Sequence, residues 1–375
     1  VKKILFIIGT RPEAIKMAPV IKVFHDDNDL IVKVCSTAQH RQMLDQVLSF
    51  FEIKPDYDLN IMAPNQTLNT LSGQLFIKID EIYSLFQPDF VVVHGDTTTS
   101  SISALAAFHR GIKVAHVEAG LRTYDLKSPF PEELNRQITD MIASLHFAPT
   151  ESAKANLLSE KVPGNKIYVT GNTVVDALLL GLEKIDKGYI SDELKIVKGM
   201  VDHGKRMILV TGHRRESFGD GFRQICSAIK KLSEKSDVQV IYPVHLNPNV
   251  QIPVNKILGG IPNVHLLNPV EYPAFIYLMS SAYFIMTDSG GIQEEAPSLN
   301  KPVLIMRDKT ERPEAIKEGT AKLVGTTEEG IYREAIRLLE DQDYYNSMRF
   351  KTNPFGDGHA SERIRSKMTQ GWQGY

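Results

Sequence analysis

The chain has 375 residues, with 43 Lys plus Arg against 45 Asp plus Glu, a formal net charge of −2, and 42% apolar and 23% charged residues. That balance excludes a polyanion-binding basic protein and an intrinsically disordered chain. Two cysteines, Cys35 and Cys226, cannot build a disulfide framework, and no apolar run approaches the roughly 20 residues of a membrane span.

The first element, a predicted strand at 4–8, is too short for a secretory signal, and Gly9-Thr10-Arg11-Pro12-Glu13 interrupts it. Further short runs rich in Val and Ile predict strands at 31–36, 90–94, 113–117 and 167–170. Amphipathic stretches between them predict helices at 14–25, 41–51, 68–86, 100–108 and 132–145. Apolar strands alternating with helices imply parallel strands covered on both faces. The alternation restarts with strands at 207–211, 238–244, 264–267, 283–287 and 302–306, and helices at 222–234, 272–281, 291–298 and 328–339.

Two such sets predict an α/β chain of two doubly wound, Rossmann-like domains, 1–170 and 171–359, with the changeover near Gly171. The stretch 184–203 is read as the first helical cover of the second domain. The segment 360–375 fits either domain and can pack back onto the first. Ligands of open parallel sheets bind beyond the carboxyl ends of the strands, so the cleft between two such domains is the expected site.

Unusual residues do gather at the strand ends. After the first strand come Arg11 and, one helical turn on, Lys16, which can grip a phosphate or simply sit solvated. The 90–94 strand runs into Gly95-Asp96-Thr97, where the plain role of Asp96 is a helix cap. The 113–117 strand ends in Glu118, which has no capping role. Pro131 then starts a helix in which Glu132 and Arg136 share a face at i, i+4. Carboxylates gathered on one rim can divide into acid and base.

In the second half, Gly212-His213-Arg214-Arg215 is a dense cationic strand end suited to a diphosphate. Ser289-Gly290-Gly291 opens a helix with bare backbone N–H groups. Glu295, one turn inside, can reach ribose hydroxyls, and Arg312 adds a cation after a later strand. No G-x-G-x-x-G follows a strand, and there is no P-loop, no G-x-S-x-G elbow and no zinc-ligand spacing.

Six segments in this order and spacing resemble the bacterial non-hydrolysing UDP-N-acetylglucosamine 2-epimerases. They are Gly9-Thr10-Arg11-Pro12-Glu13-Ala14-Ile15-Lys16, Val93-His94-Gly95-Asp96-Thr97, His116-Val117-Glu118-Ala119-Gly120-Leu121-Arg122, Pro131-Glu132-Glu133-Leu134-Asn135-Arg136, Gly212-His213-Arg214-Arg215-Glu216 and Asp288-Ser289-Gly290-Gly291-Ile292-Gln293-Glu294-Glu295. The resemblance runs essentially end to end. It implies a GT-B-type pair of domains with the active site in the interdomain cleft. It implies reversible interconversion of UDP-GlcNAc and UDP-ManNAc by elimination of UDP to 2-acetamidoglucal and re-addition, with neither NAD nor metal. Position by position, it implies proton transfer by Asp96, Glu118 and Glu132 as a group, with His213 at the diphosphate. It implies substrate contacts by Arg11, Lys16, Arg136, Ser289, Gly290, Gly291, Glu295 and Arg312, uracil packing by Phe275 and a uracil contact by the backbone of Val270. Gln39, Gln42, Arg214 and His245 match an activator site for a second UDP-GlcNAc in some members, although Asn65 stands where some have Arg. A cytoplasmic homodimer serving surface-polysaccharide synthesis, with no nucleic-acid or membrane partner, is the family expectation. The other readings are a hydrolysing 2-epimerase releasing UDP and ManNAc, a GT-B glycosyltransferase, and a non-enzymatic nucleotide-sugar sensor. The eukaryotic hydrolysing enzymes carry a fused sugar-kinase domain, which the bacterial resemblance gives no reason to expect here. A glycosyltransferase or a sensor leaves the three carboxylates unexplained.

Overall fold

Thirteen short strands, nearly all of them buried Val, Ile, Leu and Phe, form two separate parallel sheets in a computed structural model that describes residues 1–37, 41–63, 65–349 and 351–370, without the side chains of Arg41 and Gln42. The first sheet contains β1 (Lys2–Ile8), β2 (Leu30–Ser36), β3 (Tyr57–Asp58), β4 (Phe90–His94), β5 (Lys113–Val117), β6 (Leu145–Ala148) and β7 (Ile167–Val169), in the order β3-β2-β1-β4-β5-β6-β7. The second contains β8 (Arg206–Thr211), β9 (Val238–Pro243), β10 (Val264–Leu267), β11 (Phe284–Thr287), β12 (Val303–Ile305) and β13 (Ala321–Leu323), in the order β10-β9-β8-β11-β12-β13. The strand order reverses between β1 and β4 and again between β8 and β11. Those are the two points where a doubly wound sheet opens a crevice at its carboxyl edge.

The chain divides into two units. One comprises Val1–Leu180 with the segment from Phe355 onward, and the other comprises Gly181–Pro354. The sequence boundary at 170/171 thus compares with a division at 180/181, inside the helix Thr173–Asp186. The helix Ala360–Gln370 lies with the first unit, where it packs on the helix Arg11–His25 and Arg365 Nη1 donates to the Val23 carbonyl.

Each unit has its own core. In the first, Leu5, Ile7, Val91 and Val93 meet Leu75, Ile79 and Tyr83, and the Tyr83 hydroxyl donates to the Ser103 carbonyl at 2.9 Å. In the second, Ile208, Val210, Val240 and Met286 meet Phe222, Ile225 and Tyr242. Threonines start several helices by accepting backbone N–H groups. Thr10 forms a reciprocal capping box with Glu13, and Thr97 and Thr150 cap the helices Thr98–His109 and Glu151–Ser159.

Some elements depart from expectation. The predicted helix 132–145 ends at Ile142, because Ala143 turns extended and the buried Leu-His-Phe-Ala run becomes β6. The stretch 184–203 is not one helix: Gly188 takes a positive φ of 99°, Ser191 caps afresh, and Asp192–Met200 begins. β3, β13 and the helices Glu151–Ser159 and Pro248–Leu258 were not anticipated. No helix among the described residues is long and apolar enough to cross a membrane.

Candidate active site

In the first unit, the turns after β1, β4 and β5 bring together the polar residues of the carboxyl edge. Gly9 has to lack a side chain, since a Cβ there would lie 2.5 Å from Thr99 Oγ1 and 2.6 Å from Thr37 Oγ1. The helix that follows begins at Arg11 and carries Lys16. Glu13 is buried beneath this turn and accepts hydrogen bonds from Gly9 N (3.0 Å), Thr10 N (2.7 Å), Thr10 Oγ1 (2.8 Å) and, across the switch point, Thr97 Oγ1 (2.7 Å). Burial pushes the Glu13 carboxyl up to about 7 in spite of these donors.

Glu118 follows β5 with φ 66°, a left-handed backbone that only a few per cent of non-glycine residues adopt. Its Oε2 accepts from Lys16 Nζ at 2.5 Å and from Asn172 Nδ2 at 2.8 Å. His94, the last residue of β4, places Nε2 3.8 Å from the same oxygen. Burial drives His94 down to about 3, against the pull of Glu118, so the imidazole beside that carboxylate is neutral.

Asp96 does not cap a helix. Thr97 takes that role, accepting from Ser100 N, and Asp96 instead forms an ion pair with Arg136. Arg136 reaches Asp96 and Glu133 (3.2 Å), and no ion pair joins it to Glu132 among the described residues. Pro131 is the cap of this helix rather than its first residue. Glu133 is buried and clasps the backbone N–H groups of Thr123 and Tyr124, each at 3.0 Å. Burial opposes its ionisation, yet those donors, Gln137 and Arg136 hold it below the usual carboxylate range.

In the second unit, the centre of the edge is Asp288, fully buried after β11. Its Oδ2 accepts from the backbone N–H groups of His213 (2.7 Å) and Arg214 (2.8 Å), and its Oδ1 lies 3.2 Å from His213 Nδ1. Burial raises the Asp288 carboxyl, but His213 and the two backbone donors outweigh it and hold it below the ordinary value. His213 stacks on His245 with ring centroids 5.6 Å apart. Ser289 precedes the short helix Gly290–Glu295. Arg312 forms an ion pair with Glu294, and a Cβ on Gly290 would meet its Cζ at 3.8 Å, so the guanidinium lies over this turn. A Cβ on Gly291 would come 3.9 Å from Glu295 Oε2. Val270 is buried in the turn after β10, and Phe275 lies on the helix Tyr272–Ser281.

Contacts join the sequence-named residues within each unit: Lys16 with Glu118 and Asp96 with Arg136 in the first, and His213 with His245, Arg312 over Gly290 and Glu295 near Gly291 in the second, while Arg11 and Glu132 are the first residues of the helices Arg11–His25 and Glu132–Ile142. Gln39 and the side chain of Gln42 lie outside the described residues, and Asn65 has a left-handed φ of 58°. Sequence reasoning missed Asn172, Glu13, His94 and Asp288 as supports. Their partners lie far away in the chain, and only the capping-box spacing of Thr10 and Glu13 was locally visible.

Two doubly wound parallel units, each with its polar cluster at the strand-order switch, define an α/β protein of the dinucleotide-fold architecture. Residues 22–369 match the family model described as UDP-N-acetylglucosamine 2-epimerase. The Escherichia coli K12 protein named UDP-N-acetylglucosamine 2-epimerase is 54% identical over 96% of this chain and 97% of its own. The crystal structure of UDP-GlcNAc 2-epimerase from Neisseria meningitidis bound to UDP-GlcNAc matches with a TM-score of 0.90 and 50% identity, over 98% of this chain and all of that one. The Methanocaldococcus jannaschii enzyme in complex with UDP-GlcNAc and UDP matches at 0.80 and 36%, over 98% of this chain and 100% of that one. The chain belongs to the UDP-N-acetylglucosamine 2-epimerase family.

Proposed function

We propose that the protein interconverts UDP-GlcNAc and UDP-ManNAc without hydrolysis. A carboxylate removes the C2 proton, the C1–O bond to UDP breaks, and 2-acetamidoglucal forms with a C1=C2 double bond. A proton then returns to the opposite face of C2 while UDP adds again at C1. The observation that carries this reading is the pair of carboxylates ending adjacent strands of one sheet in different settings: Glu118 held by Lys16 and Asn172, Asp96 by Arg136. Differently placed carboxylates are what a two-sided proton exchange requires. Glu132 completes the group.

Departure of a diphosphate needs cationic and N–H donors. In this reading His213, oriented by Asp288, faces the diphosphate together with Arg312 and the N–H groups of Ser289, Gly290 and Gly291. Glu295 takes the ribose, and Phe275 and the Val270 backbone take the uracil. Arg11 and Lys16 serve the sugar side. The chemistry calls for neither nicotinamide nor metal. A second UDP-GlcNAc bound by Gln39, Gln42, Arg214 and His245 acts as activator in this reading. The M. jannaschii relative, crystallised with both UDP-GlcNAc and UDP, supports it. A cytoplasmic homodimer feeding surface-polysaccharide synthesis is the expected setting.

Incubation with UDP-GlcNAc in deuterated water tests the reaction. UDP-ManNAc carrying solvent deuterium at C2 is the expected product. Stoichiometric free UDP and ManNAc would replace this reading with the hydrolysing one. A prompt, lag-free reaction from UDP-ManNAc alone would remove the activator.

A further inference from the structure

Two buried side chains outside the reacting group connect the two turns that carry Asp96 and Glu118. His116, in β5, is fully buried, and each ring nitrogen lies against an oxygen: Nδ1 is 2.6 Å from Asp140 Oδ1, and Nε2 is 2.8 Å from the carbonyl of Gly95, the residue before Asp96. Asp140, on the helix Glu132–Ile142, uses its other oxygen to accept from Gly120 N at 3.1 Å and from Arg122 Nη2 at 2.8 Å. Arg122 is itself anchored on Glu160 at 2.6 and 2.7 Å. His116 stands two residues before Glu118 and Gly120 two residues after, so the dyad brackets Glu118 on both sides while also fastening the turn of Asp96.

The bracketed backbone needs that support. Glu118 is a left-handed non-glycine residue, a conformation that persists only where its surroundings over-determine it. Gly120 has φ 88°, and a Cβ there would lie 2.3 Å from the Ala153 carbonyl oxygen, so the turn has little room to relax. Burial raises the Asp140 carboxyl, but His116 and Arg122 hold it below the ordinary range, and His146 Nε2 also contacts its backbone carbonyl at 2.7 Å. A buried ion pair adds little stability over well-packed apolar side chains. Here its polar atoms end instead on the backbone of two functional turns.

We infer that Asp140 and His116 are positioning residues that fix the placement of Asp96 relative to Glu118, so that both proton transfers act on one retained intermediate. The inference rests on the proposed reaction. Loosening the dyad therefore changes how the intermediate partitions, and not only how fast the enzyme turns over.

Three conservative variants test this. Asp140→Asn weakens both ends. His116→Gln can keep a donor where Nε2 sits, toward Gly95, and loses Asp140. His116→Asn can keep a donor where Nδ1 sits, toward Asp140, and loses Gly95. Each is assayed with UDP-GlcNAc for kcat, KM and the ratio of released 2-acetamidoglucal to UDP-ManNAc, with its thermal midpoint measured alongside. The expected result is kcat lower by about 10²-fold, KM within about threefold, and intermediate escape per turnover higher by about tenfold. A proportional fall in every flux with an unchanged glucal-to-product ratio, or failure of all three to fold, leaves only a structural role and overturns the inference. The unsubstituted enzyme controls for the reaction: if it makes no UDP-ManNAc, the proposed function falls and the inference with it.

Discussion

Glu118 and Asp96 occupy comparable strand ends but are held by different chemistry, and single substitutions should separate them from their supports. Glu118→Gln keeps the shape and its contact with Asn172 but removes the charge facing Lys16. Asp96→Asn does the same opposite Arg136. Either change should cut turnover by about 10² or more, the ordinary worth of a placed acid or base. Near-normal rates of UDP-ManNAc formation in both would remove these residues from proton transfer. Asp288 makes a different prediction. Its folded-state value lies below the ordinary 3.8, so its contribution to stability is complete above that value and is lost as pH falls through the lower one. Asp288→Asn should therefore flatten the acid side of the unfolding free energy measured by urea titration. An acid limb as steep as that of the unsubstituted protein would show that the buried carboxylate has no such role.

The turn after β1 behaves as a unit because Glu13 ties it to Thr97 across the switch point. Its carboxyl is pushed from 4.5 up to about 7, which reverses the sign seen for Asp288. Between those values the folded state holds more protons than the unfolded one, so stability falls as pH rises through the window, by an amount on the order of 3 kcal/mol. Glu13→Gln should lose that slope, as read from unfolding midpoints between pH 4.5 and 7. A slope unchanged by the substitution would count against a protonated Glu13. The same turn shows what was legible beforehand. A β-branched run closed by Gly9, with Thr10 and Glu13 at capping spacing, announces strand, turn and helix within a few residues. β6, by contrast, is four residues behind a helical pattern that runs on to Leu145, and β13 is three. The helix Pro248–Leu258 hides behind its internal Pro253. Charged residues at strand ends could be found by position. Asn172 and Asp288 could not, because their partners Glu118 and His213 are 54 and 75 residues away.

At the scale of the whole chain, the first unit is completed by residues from the far end. Asp176 accepts from Ser361 N at 2.7 Å and Ala360 N at 3.3 Å, and Ile364 and Met368 are fully buried. Truncation after His359 would strip Asp176 of those donors and uncover the apolar surface under both side chains, a loss of about 2–5 kcal/mol for each buried residue. The unfolding midpoint of the unit containing β1–β7 should drop, as followed by limited proteolysis on heating. An unchanged proteolytic midpoint would mean that the final helix is dispensable. The strand order has a kinetic consequence as well. β1 pairs with β4 through Ile4 and Phe90, and β8 with β11 through Ile208 and Phe284, so each polar cluster sits where the chain must first close a long loop. Loop closure over such distances is slow and contributes nothing until the pairing forms. Refolding chains are therefore expected to form helices and local strand–helix contacts before the switch-point strands pair, with ligand-binding competence returning on that pairing.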